Sequence, residues 1–167
     1  MSDIHIEPMQ LADVDDVLAI ERASFSNPWS HQAFVHELRD NRVAHLWVAR
    51  PPTGAAGGAG RRVLGYLCTW LIADELHVTN LAVDPGHRGQ GIGRHLLGTL
   101  LEFYRRQGAT RVTLEVRPNN AEARRLYDTF GFRQCRIMNA CTRNRGMHGG
   151  ELWCETTNYP IESKRRA

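Results

Sequence analysis

A basic, glycine-rich loop between an apolar segment and a striped helix constrains the fold more than any other feature of the chain. The apolar segment ends at Val83, the loop covers residues 88–94 (RGQGIGR), and helical spacing of apolar residues starts at Ile92. This order directs the unpaired N–H groups of a helix N-terminus at one point, where the helix dipole is positive. The sequence therefore predicts an anion-binding loop.

The spacing of the glycines limits which anion the loop can hold. No Gly-Lys-Ser/Thr follows, so the loop is not a P-loop. Gly91 and Gly93 start the dinucleotide-binding pattern G-x-G-x-x-G, but Leu96 takes the place of its third glycine. These residues alone leave open the alternative of a glycine-rich turn that only lets a helix pack on a sheet.

Length and composition predict one globular domain over residues 1–167. The chain has 167 residues, of which 42% are apolar and 23% charged, and these are ordinary values for such a domain. We expect a cytoplasmic protein with no membrane partner, because no apolar run approaches the ~20 residues of a membrane span and no signal peptide is present. The net charge of +3 permits an anionic cofactor but does not indicate direct nucleic-acid binding.

Three cysteines and a histidine near the C-terminus are residue types that commonly bind zinc. They are Cys135, Cys141, His148 and Cys154. Their spacings match none of the short C-x₂₋₄-C zinc motifs. We therefore predict no metal site.

Hydrophobic periodicity predicts alternating strands and helices along the chain. Strands are predicted near residues 4–6, at 44–49, 63–72, 75–83 and 111–117. Helices are predicted after the N-cap residues Asp13, Ser30 and Asn119, and over residues 90–107. The segment 51–60, rich in Pro and Gly, is predicted to be a flexible hairpin loop. Because a helix separates strands 75–83 and 111–117, these two are expected to be parallel.

The corner after the first predicted helix carries Phe25 and Trp29 close to Pro28. A proline cannot continue a helix, so the chain turns here. The two aromatic residues could pack in the core at this corner, or they could form a wall of a substrate groove. The sequence leaves both possibilities open.

Three motifs in order carry a resemblance to a known family. They are SFSNPWS (24–30), VDPGHRGQGIGR (83–94) and LEVRPNNAEARRLYDTFGF (114–132). Together they resemble the GCN5-related N-acetyltransferases (GNAT), and in particular the branch of bacterial ribosomal-protein-alanine N-acetyltransferases of the RimI type. The resemblance covers about residues 4–133, whereas residues 134–167 diverge from the family pattern.

The resemblance implies an α/β acyl-CoA N-acyltransferase fold with a mixed, splayed sheet and helices on both faces. It also implies transfer of the acetyl group of acetyl-CoA to a protein N-terminal α-amine. For this branch the expected substrate is the N-terminal alanine of the eighteenth small-subunit ribosomal protein. Another protein N-terminus, a small amine, or a non-catalytic acyl-CoA-binding role are the alternatives.

The resemblance also implies residue roles. Glu115 matches the family's general base and Tyr127 its general acid. The expected cofactor-binding residues are Leu81, Ala82, Val83, Arg88, Gly89, Gln90, Gly91, Ile92, Gly93, Arg94 and Asn120. Without the resemblance, Glu115 could be a solvated residue paired with Arg117, and Tyr127 could be a core aromatic on its helix stripe.

The divergent tail bears on the substrate, because the family usually places a tyrosine-rich turn beside the peptide site. The tail of this chain has no paired tyrosines. Residues 134–138 and 151–155 retain weak strand character. The tail therefore leaves the identity of the acetylated amine open.

Overall fold

The computed structural model describes residues 4–52, 62–117, 119–139 and 151–158, the last strand and residues 134–139 by their backbone. The elements are β1 (His5–Pro8), α1 (Val14–Ser24), α2 (His31–Arg39), β2 (Ala44–Arg50), β3 (Gly65–Ile72), β4 (Glu75–Val83), α3 (Ile92–Arg106), β5 (Arg111–Val116), α4 (Ala121–Asp128), β6 (Arg133–Asn139) and β7 (Glu151–Asn158). The predicted loop at residues 51–60 lies largely outside the described residues.

All seven strands form one mixed sheet in the order β1-β2-β3-β4-β5-β7-β6. Strands β4 and β5 are parallel, as predicted, because α3 carries the chain back across the sheet between them. The other neighbouring pairs are antiparallel. The weak strand character predicted for the tail is confirmed, since β6 and β7 pair with each other and β7 also pairs with β5.

Helices cover both faces of the sheet, as the resemblance implied. On one face, Val17 of α1 and Phe34 of α2 pack with Val48 and Tyr66 of the sheet. On the other face, Leu96, Leu97, Leu100 and Tyr104 of α3 are nearly fully buried against the strands. Burial of these two apolar layers against one sheet supplies the main driving force for the fold.

A β-bulge at Thr79 divides β4 into two halves that face differently. Cys68 lies opposite Asn80 and Thr69 lies opposite Val78, so that Thr79 is the extra residue. Before the bulge Val78 points into the α3 core, whereas after it Asn80 reaches α1, where its Nδ2 lies 3.3 Å from a carboxylate oxygen of Glu21. Side chains alternate along a strand, so the extra residue places each later side chain of β4 on the face opposite to the one that unbroken alternation would give it.

Strands β4 and β5 diverge just beyond this bulge. They pair only over Glu75–Val78 and Arg111–Leu114. The second half of β4 and the end of β5 therefore leave a gap between them in the middle of the sheet. This gap is the splay that the resemblance implied.

The predicted N-cap has the right position at α1 and is one residue off at α4. Asp13 is the N-cap residue of α1, but its carboxylate accepts a hydrogen bond from the Gln10 N–H at 2.8 Å and makes no side-chain cap to the helix. At α4 the capping residue is Asn120, whose Oδ1 accepts from the Ala123 N–H at 3.1 Å, and not Asn119. Ser30, by contrast, caps α2 as predicted through Ala33.

Candidate active site

The glycine-rich loop ends in an open cradle at the N-terminus of α3. Gly89 and Gly91 have φ values of 74° and 80°, a backbone region that favours glycine. Gly91 is the N-cap residue, and no side chain caps the helix. No atom lies within 4 Å of the position that a Cβ would occupy at Gly91, so the glycine keeps open a space that a side chain would fill. The cradle therefore fits an anionic group such as a pyrophosphate.

A cavity of about 360 Å³ lies over this cradle. It lies between the second half of β4, the start of α3 and the start of α4. Of the predicted cofactor-binding residues, those that line it are Leu81, Ala82, Val83, Arg88, Gly89, Gly91, Ile92, Gly93, Arg94 and Asn120. Gln90 is the predicted residue that is not among its lining residues. The structure thus brings together a set that the sequence spreads over forty positions.

The arginines of the loop are held by neighbouring groups. Arg88 donates from Nε to the Val83 carbonyl at 3.1 Å and from Nη2 to the Ser24 hydroxyl at 2.9 Å. The guanidinium of Arg94 lies 5.6 Å from the centre of the Phe130 ring, in cation–π geometry. Both charges are therefore kept beside the cradle.

A second cavity, of about 470 Å³, adjoins the first and is here called the groove. It follows the gap between β4 and β5 and is bounded by the corner between α1 and α2. Its lining residues include Glu21, Phe25, Trp29, Asn80, Glu115, Arg117 and Tyr127. Phe25 and Trp29 also pack on the apolar core. The two aromatic residues therefore pack in the core and also line the groove.

The two predicted catalytic side chains lie at different depths. Tyr127, on α4, is 6% exposed, packs against the ring of Phe132 and lines both cavities. Glu115, on β5, is exposed and lines only the groove. A phenol group thus lies where the two cavities meet, and a carboxylate lies in the groove.

Sequence reasoning missed a buried carboxylate in the wall of the groove. Glu21 is 1% exposed, and its oxygens accept hydrogen bonds from the Trp29 N–H at 2.8 Å and from the Tyr66 hydroxyl. Burial raises the pKa of Tyr66 strongly, and the negative charge of Glu21 adds to the shift. The sequence did contain a signal for this carboxylate. Glu21 lies on the same apolar stripe of α1 as Val14 and Val17, and a charged side chain on a buried stripe requires hydrogen-bonding partners.

Comparison with known proteins identifies the class of the chain. The model of the acetyltransferase (GNAT) family matches residues 14–132, and the chain belongs to this family. Its cosubstrate is acetyl-CoA. The family expectation drawn from the three motifs is confirmed.

Relatives of the chain include two bacterial proteins and a solved structure. It is 36% identical over 126 residues to the Bacillus subtilis (strain 168) "Putative [ribosomal protein bS18]-alanine N-acetyltransferase", covering 75% of this chain and 78% of the relative. It is 30% identical over 132 residues to the [ribosomal protein bS18]-alanine N-acetyltransferase of Escherichia coli (strain K12), covering 79% and 82%. The crystal structure of the ribosomal-protein-S18-alanine N-acetyltransferase from Escherichia coli has a TM-score of 0.78 at 23% identity, covering 98% of this chain and 99% of that one.

Two further expectations concern metal ions and membranes. Among the described residues, no group of three or more His, Cys, Asp or Glu side chains could hold a metal ion. The side chains of Cys135, Cys141, His148 and Cys154 lie outside the described part. No described helix is long and apolar enough to cross a membrane.

Proposed function

We propose that this acetyltransferase transfers the acetyl group of acetyl-CoA to a protein N-terminal α-amine, namely the N-terminal alanine of the eighteenth small-subunit ribosomal protein (bS18). Two relatives of 30% and 36% identity are named for that activity, which supports the proposal. The groove supports it as well, because it is open along the β4–β5 gap and could hold an extended chain end.

The observation that carries the proposal is the position of Tyr127 at the junction of the two cavities. A thioester held over the cradle would direct its acyl end toward this junction. An amine bound in the groove would approach from the other side. A side chain that lines both cavities can donate a proton to the leaving sulfur without entering the path of the amine.

Glu115 acts in this proposal as the general base. A peptide α-ammonium has a pKa near ~8, so most of it is protonated near neutral pH and must lose a proton before it can attack. Glu115 lines the groove, and its carboxylate can take that proton directly or through a water molecule. When the C–S bond breaks, Tyr127 gives its proton to the departing thiolate and regains one from the nitrogen that has formed the new C–N bond, and Glu115 releases its proton to solvent.

The remaining residues bind and orient the cosubstrate. The backbone N–H groups at the start of α3, from Ile92 onward, face the pyrophosphate, with Arg88 and Arg94 supplying positive charge. Asn120 and the backbone of Leu81–Val83 contact the pantetheine arm. Acetyl-CoA supplies the activated acyl group. The N–H of a residue near Ala82 on the splayed strand polarises the thioester carbonyl.

A thiol-release assay with acetyl-CoA tests the proposal. The amines offered are a peptide with the N-terminal sequence of bS18, the same peptide starting with a bulky residue, and a panel of small amines. We expect turnover on the alanine peptide, with mass spectrometry placing one acetyl group on its α-amine. Turnover on small amines alone would reject the protein substrate, and binding of acetyl-CoA without any turnover would indicate a non-catalytic protein.

A further inference from the structure

Asn80 occupies a special place in the groove. It is the first residue after the bulge of β4, at the point where β4 has left β5, and it lines the groove together with Glu115 and Glu21. The bulge is what turns its side chain toward the α1 face of the sheet. The roles assigned above to Glu115 and Tyr127 do not involve this side chain.

The carboxylate of Glu21 is held in one position under Asn80. The Trp29 N–H donates to Oε1 at 2.8 Å, and the Tyr66 hydroxyl donates to Oε2. Because Glu21 is 1% exposed, water does not compete for these contacts. An ionised carboxylate only accepts hydrogen bonds, so a neighbouring group must present donors to it.

This constraint fixes the orientation of the Asn80 amide. Nδ2 of Asn80 lies 3.3 Å from Oε1 and 3.3 Å from Oε2 of Glu21. A flipped amide would place its oxygen against two carboxylate oxygens, which is unfavourable. The carbonyl oxygen Oδ1 therefore points away from Glu21, and no described residue donates a hydrogen bond to it.

We propose that Oδ1 of Asn80 accepts a hydrogen bond from the N–H of the incoming substrate amine, and that Glu21 is a positioning residue that keeps this acceptor facing the groove. The inference rests on the acetyl-transfer function proposed above and names the group that recognises the amine. An α-amine keeps N–H donors in both its charged and its neutral form. The contact is therefore made before and during proton removal by Glu115, and its loss should raise KM and not lower kcat.

Two variants and one control test this inference by steady-state kinetics, with the amine that the wild-type enzyme acetylates. Asn80→Ala removes the acceptor, and we expect KM for the amine to rise about tenfold, the effect of one lost hydrogen bond, with kcat and acetyl-CoA affinity within about twofold of wild type. Glu21→Gln offers one acceptor oxygen where Glu offers two, so the Asn80 amide can rotate and its Oδ1 is no longer held facing the groove. We expect a smaller rise in KM for this variant.

Asn41→Ala is the matched control. Asn41 also donates from Nδ2 to a glutamate, Glu37, at 2.9 Å, but neither residue is among those that line the groove. We expect unchanged kinetic constants for this control. Thermal unfolding and acetyl-CoA titration establish that each variant is folded, which matters most for the buried Glu21.

The double variant Glu21→Gln, Asn80→Ala shows whether Glu21 affects KM by positioning Asn80 or independently of it. If Glu21 acts through Asn80, then Glu21→Gln adds no further increase in KM once Asn80 is alanine. A wild-type KM for Asn80→Ala, or full additivity in the double variant, overturns the inference and leaves the proposed function intact. If the wild-type protein acetylates no amine, the proposed function and this inference fail together.

Discussion

Arg117 donates a hydrogen bond from Nη1 to the hydroxyl of Ser26 at 2.9 Å, and so joins the end of β5 to the corner after α1. The sequence had left open that Arg117 pairs with Glu115 on the surface of the strand. No hydrogen bond or ion pair engages the Glu115 carboxylate within the part of the chain that the structure describes. The carboxylate is thus available in the groove, which makes its role testable.

Replacing Glu115 with Gln should lower kcat/KM by roughly 10²–10⁴-fold near neutral pH, because the amide cannot take the proton of the amine. The loss should shrink as pH rises past ~8, where more of the free amine is already neutral. A pH profile of kcat/KM on the acetylated peptide measures this, and acetyl-CoA affinity should stay the same.

Glu102→Gln is the control for that profile. Glu102 is exposed on α3, and hydrogen bonds from Arg105 and then Arg106 lower its pKa to about 2, so it stays ionised throughout the measured range. We expect this variant to follow the wild-type profile. Wild-type rates for Glu115→Gln at every pH would remove Glu115 from the mechanism.

Replacing Tyr127 with Phe should lower kcat by roughly 10²–10⁴-fold, the usual loss when general acid help is removed. The aromatic ring is kept, so the packing against Phe132 should persist. Single-turnover measurement of thiol release reports directly on the acetyl-transfer step.

Tyr104→Phe is the matched control, because it removes a buried hydroxyl that contacts Trp47 and Thr69 away from both cavities. It should lower stability by about 1 kcal/mol and leave kcat unchanged; equal kcat values in the two variants would contradict the assignment.

Replacing Gly91 with Val should abolish acetyl-CoA binding in calorimetry, because the new side chain fills the cradle and the φ of 80° strains any β-branched residue. Gly108→Val is a matched control, since Gly108 also has a positive φ, of 94°, and open space around it, but lies beyond the other end of α3. Both changes should cost about 1–3 kcal/mol of stability. Unchanged affinity in Gly91→Val would mean that the loop is only a turn.

Stability should fall in alkaline solution through Tyr66. Burial raises its pKa in the folded protein, with the charge of Glu21 as a further cause, above the ~10 of an unfolded tyrosine. A group whose folded pKa is raised contributes stability that is fully present below the unfolded pKa and is lost as pH rises beyond it. Denaturant titrations should therefore show a decrease of up to about 1.4 kcal/mol per pH unit above pH 10 from this residue. Tyr66→Phe should be less stable at neutral pH but should lack this part of the alkaline decrease.

The order of strands and helices and most of the cofactor cavity could be predicted from the sequence. Strand alternation, helix periodicity and the glycine loop are local signals, and β4 has the predicted bounds, Glu75–Val83. The capping residue of α4 was misplaced by one position, because Asn119 and Asn120 are chemically equivalent and only the backbone decides between them.

The wall of the groove could not be predicted, because it depends on contacts between distant segments. Glu21 and Asn80 are 59 residues apart in the chain, and no periodicity indicates that they meet. The bulge that brings Asn80 to that side of the sheet leaves no mark in the composition of β4. Such features depend on tertiary packing and on strand register, which local propensities do not encode.

The bulge at Thr79 also affects how this gene can change in length. Deleting Thr79 would remove the extra residue and restore regular pairing with β3, with Asn80 and Ala82 still facing α1 and Leu81 and Val83 still facing α3. A one-residue insertion after Asn80 would instead turn Leu81 and Val83 away from the α3 core, because side chains alternate along a strand. We therefore expect β4 to tolerate the loss of the codon for Thr79 far better than the gain of a codon between Asn80 and Val83.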